Sequence, residues 1–509
     1  MRRVLFVPLD DRPATRDVVL DLLPLLGVPW DTPPKDLLGH RRRPADLDAL
    51  FRWVDRETPT ADALIASSEV LLYGGLVASR LSVDPLDLLW RRLDRLARVA
   101  GRIPTYLAAV NPRIPTGGAD EEPAYWESYG DQLRVYSSDL DAGEQTGDDV
   151  RLRKALETLD GIPATIADDL LRRRRRQLLV NLELIALAAR GHLAALLIGQ
   201  DDAEPYGLTR ADLAVLKRFR DRLGGSRTHV SVGADELGAR LLARLAVNAR
   251  GKAPRVAVRY TYPEARRSVP RYEPYPLEET VAGHVDAAGC QIVDDEPDIL
   301  LWVHNFAGVQ QRESIDQRGA PPAPVRTVAT ALAEAASRGV ICGCADVRFA
   351  NGADDALVRS LLVRDDLCGL DGYAGWNTCS NSLGTVMAQV ILTLYARSRL
   401  GEVRLRQLRR RYLVRRLLDD WGYQTVVRPR LAADVVPRLG VSGTQLGAAA
   451  ERVCEAATRL FREEVLPPVE RALGPSGFRG LSFPWDRLFE VDIHLPDGTQ
   501  AFEGTGTDN

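Results

Sequence analysis

The run Ala194 to Ile198 is apolar throughout and stops, two residues on, at the adjacent carboxylates Asp201 and Asp202 in the stretch AALLIGQDDAEPYG. So short an apolar run cannot stand as a helix by itself and suits a strand covered on both faces, as in a parallel sheet. Sheets of that kind carry their function at the carboxyl ends of the strands. Two acids on such a crowded, partly dry rim push each other's pKa values apart, so that one can donate a proton while the other stays charged. The feature predicts a layered α/β fold and an enzyme with Asp201 and Asp202 as its catalytic pair. Glu204, close behind, is a second candidate proton donor.

Other short apolar runs end in the same way. Val4 to Leu9 is followed by Asp10, Asp11 and Arg12, and Pro13 bars continuation of a ladder. Ala63 to Tyr73 reads as a strand that runs into Gly74-Gly75 and on to Arg80, and Thr105 to Val110 ends at Asn111 and Arg113. Thr228 to Val232 leads to Asp235 and Glu236, Ile299 to Val303 to His304 and Asn305, and Val340 to Ala345 to Asp346. The last strand end carries Trp376 and Asn377, with Asn381 just beyond.

Helical patterns lie between these runs, such as Leu47, Leu50, Phe51 and Val54, so the sheet is expected to be mainly parallel. Setting aside Val28 to Pro34, Arg255 to Tyr260 and Cys290 to Val293 as peripheral leaves eight strand ends. That count predicts a (βα)8-barrel-like domain over residues 1–400. Two doubly wound α/β domains meeting near residue 253 are the alternative. Residues 114–191 read as an insertion and candidate lid, a polar acidic loop with Tyr125, Trp126, Tyr129 and Tyr136 followed by a long arginine-rich helix. Residues 401–509 form a mostly helical C-terminal domain, apart from a strand at Leu488 to Ile493.

Composition narrows the partners. A hydrophobic content of 45%, a charged content of 27% and a net charge of −3 give no general attraction to nucleic acid or to an anionic membrane. The runs Arg172 to Arg176 and Arg404 to Arg416 read as solvated helix faces. Asp10 cuts short what could have been a signal peptide, and no apolar stretch reaches about 18 residues, so a cytoplasmic protein outside the membrane is expected. Cys290, Cys342, Cys344, Cys368, Cys379 and Cys454 include no CxxC pair and are expected to be reduced and mostly buried. Cys342 and Cys344 flank Gly343 in an apolar strand without companion zinc ligands. There is no P-loop, GxGxxG, HExxH or GxSxG, so no cofactor and no metal is called for.

Beside the acid pair, the substrate-binding candidates are Asp10, Asp11, Arg12, Arg80, Asn111, Arg113, Asp235, Glu236, Asn305, Asp346, Trp376, Asn377 and Asn381. Trp376 offers an apolar platform to a sugar face, and the asparagines offer a donor and an acceptor at once. The expected partner is a small-molecule, carbohydrate substrate. Asp10-Asp11-Arg12 equally suits an internal ion pair and Asp235-Glu236 a helix cap. Asp346, Asn351 and Asp354 equally suit ordinary turns.

Together VPLDDRP, YGGLVASR, GQDDAEPYG, GADE, NGADD and GWNTCSNSLG resemble the domain of unknown function 4127 family of uncharacterised bacterial proteins, from residue 1 through about residue 400 and on toward the end. That resemblance implies no particular activity. Locally, the Asp pair is similar to that of O-GlcNAcase-type hexosaminidases, which are barrel enzymes. This second likeness implies that Asp201 orients and polarises a 2-acetamido group, that Asp202 is the general acid/base, and that Trp376 and Asn377 line the sugar subsite. The expected function is a glycoside hydrolase-like enzyme, acting on N-acetylhexosaminides among other glycosides. A metal-assisted isomerase or lyase of a small polar acid or sugar, with Asp10, Asp201, Asp235 or His304 as ligands, is a second reading. A non-catalytic sugar-binding protein built on Trp376 is a third.

Overall fold

In the computed structural model, which describes residues 1–115, 121–310, 312–363 and 369–496, the apolar runs form two open parallel sheets. The first holds β1 (Val4–Val7), β2 (Trp30–Asp31), β3 (Ala63–Ser67), β4 (Thr105–Asn111), β5 (Ala195–Gln200) and β6 (Thr228–Val232) in the order β2-β1-β3-β4-β5-β6. The second holds β7 (Arg255–Tyr260), β8 (Gln291–Ile292), β9 (Ile299–His304), β10 (Ile341–Asp346) and β11 (Gly372–Ala374) in the order β11-β10-β9-β7-β8. The two sheets are wound alike. In each, the opening strand has its successor on one side and the third strand on the other, after which the chain steps outward in sequence order. The order therefore reverses between β1 and β3 in one sheet and between β7 and β9 in the other.

The single eight-stranded barrel is thereby corrected. Among the described residues neither sheet closes, for β2 and β6 are edges of the first and β8 and β11 edges of the second. The three segments set aside as peripheral are members of the sheets, as β2, β7 and β8. Polar tips mark where strands end but carry no record of which strands are neighbours. The run Ala63 to Tyr73 is likewise not one strand. Ser67 accepts from the Glu69 N–H at 3.2 Å and caps the helix Ser68–Tyr73, which Gly74 closes with a φ of 92°. A Cβ on Gly74 would stand 2.7 Å from the Ala45 nitrogen, so the glycine serves a helix end and not a strand end.

The chain divides into two compact units. Met1–Asp11, Val28–Ala249 and Arg267–Gly289 make the first, and Arg12–Gly27, Arg250–Arg266 and the chain from Cys290 onward make the second. In the first unit one sheet face, with Leu5, Leu64, Leu107, Leu196 and Ile198, is buried against the helices Leu47–Glu57, Leu86–Ala100, Ala164–Ala189 and Leu208–Arg222. Each such leucine contributes about 2 kcal/mol by leaving water. On the other face Gly199 admits both the Gly233 carbonyl and the helix Leu237–Arg250 closely, since a Cβ there would lie 2.0 Å from that carbonyl oxygen and 2.8 Å from Leu237 Cδ1. The long helix Ala164–Ala189 is the β4-to-β5 crossover, with Val180, Leu184 and Ile185 in the sheet core. Its first half carries Ala167 and Leu170 under Trp126, Leu133 and Ile162, so only the helices Trp126–Thr146 and Asp149–Asp160 are extra to the crossover.

In the second unit the helix Cys379–Ala396 is buried along almost its whole length and packs on β10 and β11. Gly343 makes room for it, because a Cβ there would meet Val386 and Val390 at 2.7 Å. Residues 401–496 add helices and the antiparallel pair β12 (Gly480–Ser482) and β13 (Asp492–His494), a little beyond the strand expected at Leu488 to Ile493. The described cysteines are free, and all but Cys454 are buried; Cys368 lies outside the described residues. Among the described residues no helix is long and apolar enough to cross a membrane.

Candidate functional site

β5 delivers Asp201 and Asp202 to its carboxyl end. There the Asp201 N–H donates to the Asn111 carbonyl at 3.2 Å and the Ala203 N–H to that of Tyr272 at 3.0 Å. Two arginines come from neighbouring elements. Arg80, on the helix Leu76–Leu81, donates to Asp201 Oδ2 at 2.5 Å and to Glu121 Oε2 at 2.9 Å, with Glu122 at 3.6 Å. Arg113, in the turn after β4, lies 3.4 Å from Asp202 Oδ2, 3.4 Å from Glu122 and 3.5 Å from Glu121. The Asp202 N–H closes on Asp201 Oδ1 at 3.0 Å. Asp201 thus has both oxygens engaged at short range, whereas Asp202 is held loosely by one.

Four carboxylates share two guanidinium groups here, so not all of them stay charged at little cost. Burial pushes Asp202 up, the neighbouring Asp201 charge adds to this, and Arg113 opposes it only in part, which places Asp202 at about 6. Burial acts on Asp201 too, but Arg80 and Arg113 outweigh it and hold that carboxyl below its ordinary range. Burial likewise raises Glu122. The Asp202 side chain is 25% exposed and that of Asp201 11%, so the acid that holds its proton to the higher pH is also the more reachable one. Just past it, Glu204 and Tyr206 line a cavity with Arg134, Ser138 and Arg210.

The structure brings Asp201, Asp202, Arg80 and Arg113 together, and the charge of Asp235 acts on Asp202 as well, whereas Asn111 meets Asp201 only through its carbonyl and its side chain donates to the Thr209 carbonyl at 2.8 Å. Glu236 is turned elsewhere: it is buried against Arg240 at 3.3 Å, in the first turn of the helix Leu237–Arg250 that it precedes. Asp10 and Asp11 are buried after β1, and Asp11 Oδ2 pairs with His40 Nδ1 at 2.8 Å. Arg12 belongs to the second unit, where it lies 3.4 Å from Glu490 and 4.7 Å over the Trp485 ring.

Asn305, Asp346, Trp376, Asn377 and Asn381 also belong to the second unit. Asn305 clasps the backbone of Tyr262, accepting from its N–H and donating to its carbonyl, both at 2.9 Å. Asn381 forms a capping box with Thr378 at the start of the helix Cys379–Ala396. Trp376 is buried, donates through Nε1 to Thr385 at 3.2 Å and is faced by Arg416 at 5.8 Å. Asn377 holds a left-handed φ of 49°, and its carbonyl accepts from Asn351, also left-handed at 59°. Asp346 Oδ2 accepts from Tyr373 Oη at 2.9 Å and from the Asp354 N–H at 2.7 Å, while its Oδ1 has no partner. Burial pushes Asp346 up to about 6 and Asp420 up to about 7. Asp354, pushed the same way by burial, is brought down to about 2 by His304 and Arg348.

Glu121, Glu122, Thr261, Tyr373 and Asp420 were not among the sequence candidates. Glu121-Glu122 carried a signal, an adjacent acid pair like Asp201-Asp202, but it sits in a loop that no strand pattern places. Among the described residues no three His, Cys, Asp or Glu side chains are grouped as a metal ion would require. A family model described as protein of unknown function (DUF4127) matches residues 4–494. Comparison with curated proteins finds no match.

Proposed function

Since the chain belongs to the DUF4127 family of proteins of unknown function, we propose an activity from its own residues: a glycoside hydrolase-like enzyme in which Asp202 is the proton donor and Asp201 its charged partner. The observation that carries this reading is the split within the pair, one carboxyl held charged by Arg80 at 2.5 Å and the next, more exposed, pushed up to about 6. A general acid needs its proton at working pH and a path to the substrate. Asp202 would protonate the glycosidic oxygen. Asp201, kept ionised, would accept from the N–H of a 2-acetamido group or stabilise positive charge at the sugar carbon. Free, mostly buried thiols suit a reducing compartment such as the cytoplasm.

The test is a screen of chromogenic N-acetylhexosaminides and plain hexosides, with and without chelator, on the parent protein and Asp202→Asn. Turnover that survives chelator and falls by about 10² to 10⁴ in the variant supports the reading. Full activity of Asp202→Asn on every hydrolysed glycoside ends it. Bound metal in the purified protein with no glycoside turnover points instead to the metal-assisted isomerase or lyase, and sugar binding without turnover, unchanged by either Asp substitution, to a binding protein.

A further inference from the structure

The reversal of strand order between β7 and β9 is where a doubly wound sheet characteristically receives its ligand. Two side chains straddle that point. Tyr260 is in register with Val303, and the Thr261 N–H donates to the Val303 carbonyl at 3.1 Å, which brings Thr261 beside His304 at the carboxyl ends of the two strands. Thr261 Oγ1 lies 2.9 Å from His304 Nδ1, and His304 Nε2 lies 2.9 Å from Asp354 Oδ2.

The hydrogen-bond inventory orders this chain. Trp302 Nε1 can only donate, and it donates to Thr261 Oγ1 at 3.0 Å, which leaves the threonine proton free to point at His304. Asp354 accepts from Arg348 at 2.6 Å and caps the helix Asp355–Val363 by accepting from the Ala356 N–H at 3.0 Å, so it is fixed as a charged acceptor. Asp354 can only accept, so it takes the Nε2 proton of His304, which turns the Nδ1 lone pair toward the hydroxyl. His304 is fully buried and Asp354 nearly so, while Thr261 is only half-buried. A hydroxyl within reach of a base that a carboxylate orients is the arrangement of an activated nucleophile.

We propose that Thr261, His304 and Asp354 form a second reactive centre, separate from the Asp201–Asp202 pair, in which Thr261 takes up an acyl group from an activated ester. Thr261 Oγ1 attacks the carbonyl carbon as its proton passes to His304 Nδ1. The new C–O bond forms, the bond to the leaving alcohol breaks, and that alcohol carries the proton away. Water repeats the sequence on the acyl-threonine and releases the acid. The Trp302 N–H steadies the negative charge that develops on Oγ1 before the new bond is complete.

The probe is p-nitrophenyl acetate on the full chain, read as nitrophenolate release and as acetyl mass located by peptide mapping. Acetylation of Thr261 at least about 100-fold faster in the folded protein than in urea is expected. Thr261→Ser should retain it, and Thr261→Val should lose the burst with unchanged circular dichroism, its unfolding temperature falling by a few degrees because Trp302 Nε1 and His304 Nδ1 lose their shared partner. Asp202→Asn should acetylate like the parent, which separates this centre from the proposed glycosidase. No acetyl group on Thr261, equal labelling of folded and unfolded chain, or an undiminished burst in Thr261→Val would overturn the assignment.

Discussion

Asp202→Asn should make the protein more stable at neutral pH while removing its proton donor. Asp202 stands at about 6 in the fold against an ordinary 3.8, because burial and the Asp201 charge disfavour its ionised form. A raised acid contributes stability that is fully present below its unfolded value and lost as pH climbs through its folded value. At about 1.4 kcal/mol for each tenfold, complete ionisation of Asp202 costs the fold about 3 kcal/mol above pH 7. At pH 4.5 only about 1 kcal/mol of that cost has developed, since the folded carboxyl is still protonated there and the unfolded one is mostly not. Asparagine keeps the shape, cannot ionise, and leaves Arg113 its contacts with Glu121 and Glu122. The variant should therefore gain stability over the parent by about 2 kcal/mol more at pH 7.5 than at pH 4.5. Urea unfolding of both proteins at the two pH values measures it. A variant less stable than the parent at pH 7.5, or a difference independent of pH, would refute the view that Asp202 is a strained acid.

Two further substitutions act on the same cluster. Asp201→Asn removes a charge that helps to raise Asp202 while Arg80 and Arg113 stay, so the alkaline limb of the activity profile should move to lower pH; an unmoved limb counts against coupling of the pair. Arg80→Met strands Asp201 and Glu121 without their nearest cation and should cost about 3 to 5 kcal/mol, read as a lowered unfolding temperature.

The α/β character and the polar carboxyl ends were legible because burial on both faces writes continuous apolar runs, and β1, β4, β5, β9 and β10 sit where those runs are. The grouping of strands was not. β7 was set aside to leave eight strand ends, yet it is an interior strand beside the reversal point. In the same way Asp201, Asp202, Arg80 and Arg113 were each visible as rim residues, while the partners that set their charge were not. Glu121 and Glu122 meet Arg80 and Arg113 only in the folded chain, and Thr261 gains meaning only from the register of β7 with β9.

The arginine rows explain how the acid pair is held in place and why composition hid it. On a helix rich in arginine the bland expectation is a solvated face, but Arg173 donates to the carbonyls of Leu81 at 2.7 Å and Ser82 at 2.8 Å, and Arg176 to Ser82 at 2.6 Å. Gln177 adds a bond to the Ser79 carbonyl at 3.1 Å. These are the last carbonyls of the helix Leu76–Leu81, which a six-residue helix leaves unpaired, and their side-chain donors stabilise an element too short to persist alone. That element carries Arg80, and Arg80 decides which of the two aspartates stays ionised. The row Arg404 to Arg416 is turned inward in the same manner, with Arg411 on Asp21, Arg409 on Asp371 and Arg416 on Asp420. A guanidinium that offers five donors can close helix ends and neutralise buried acids where lysine could do only one of these at a time. The charge state of the Asp201–Asp202 pair therefore depends on Arg173 and Arg176 through the helix they cap.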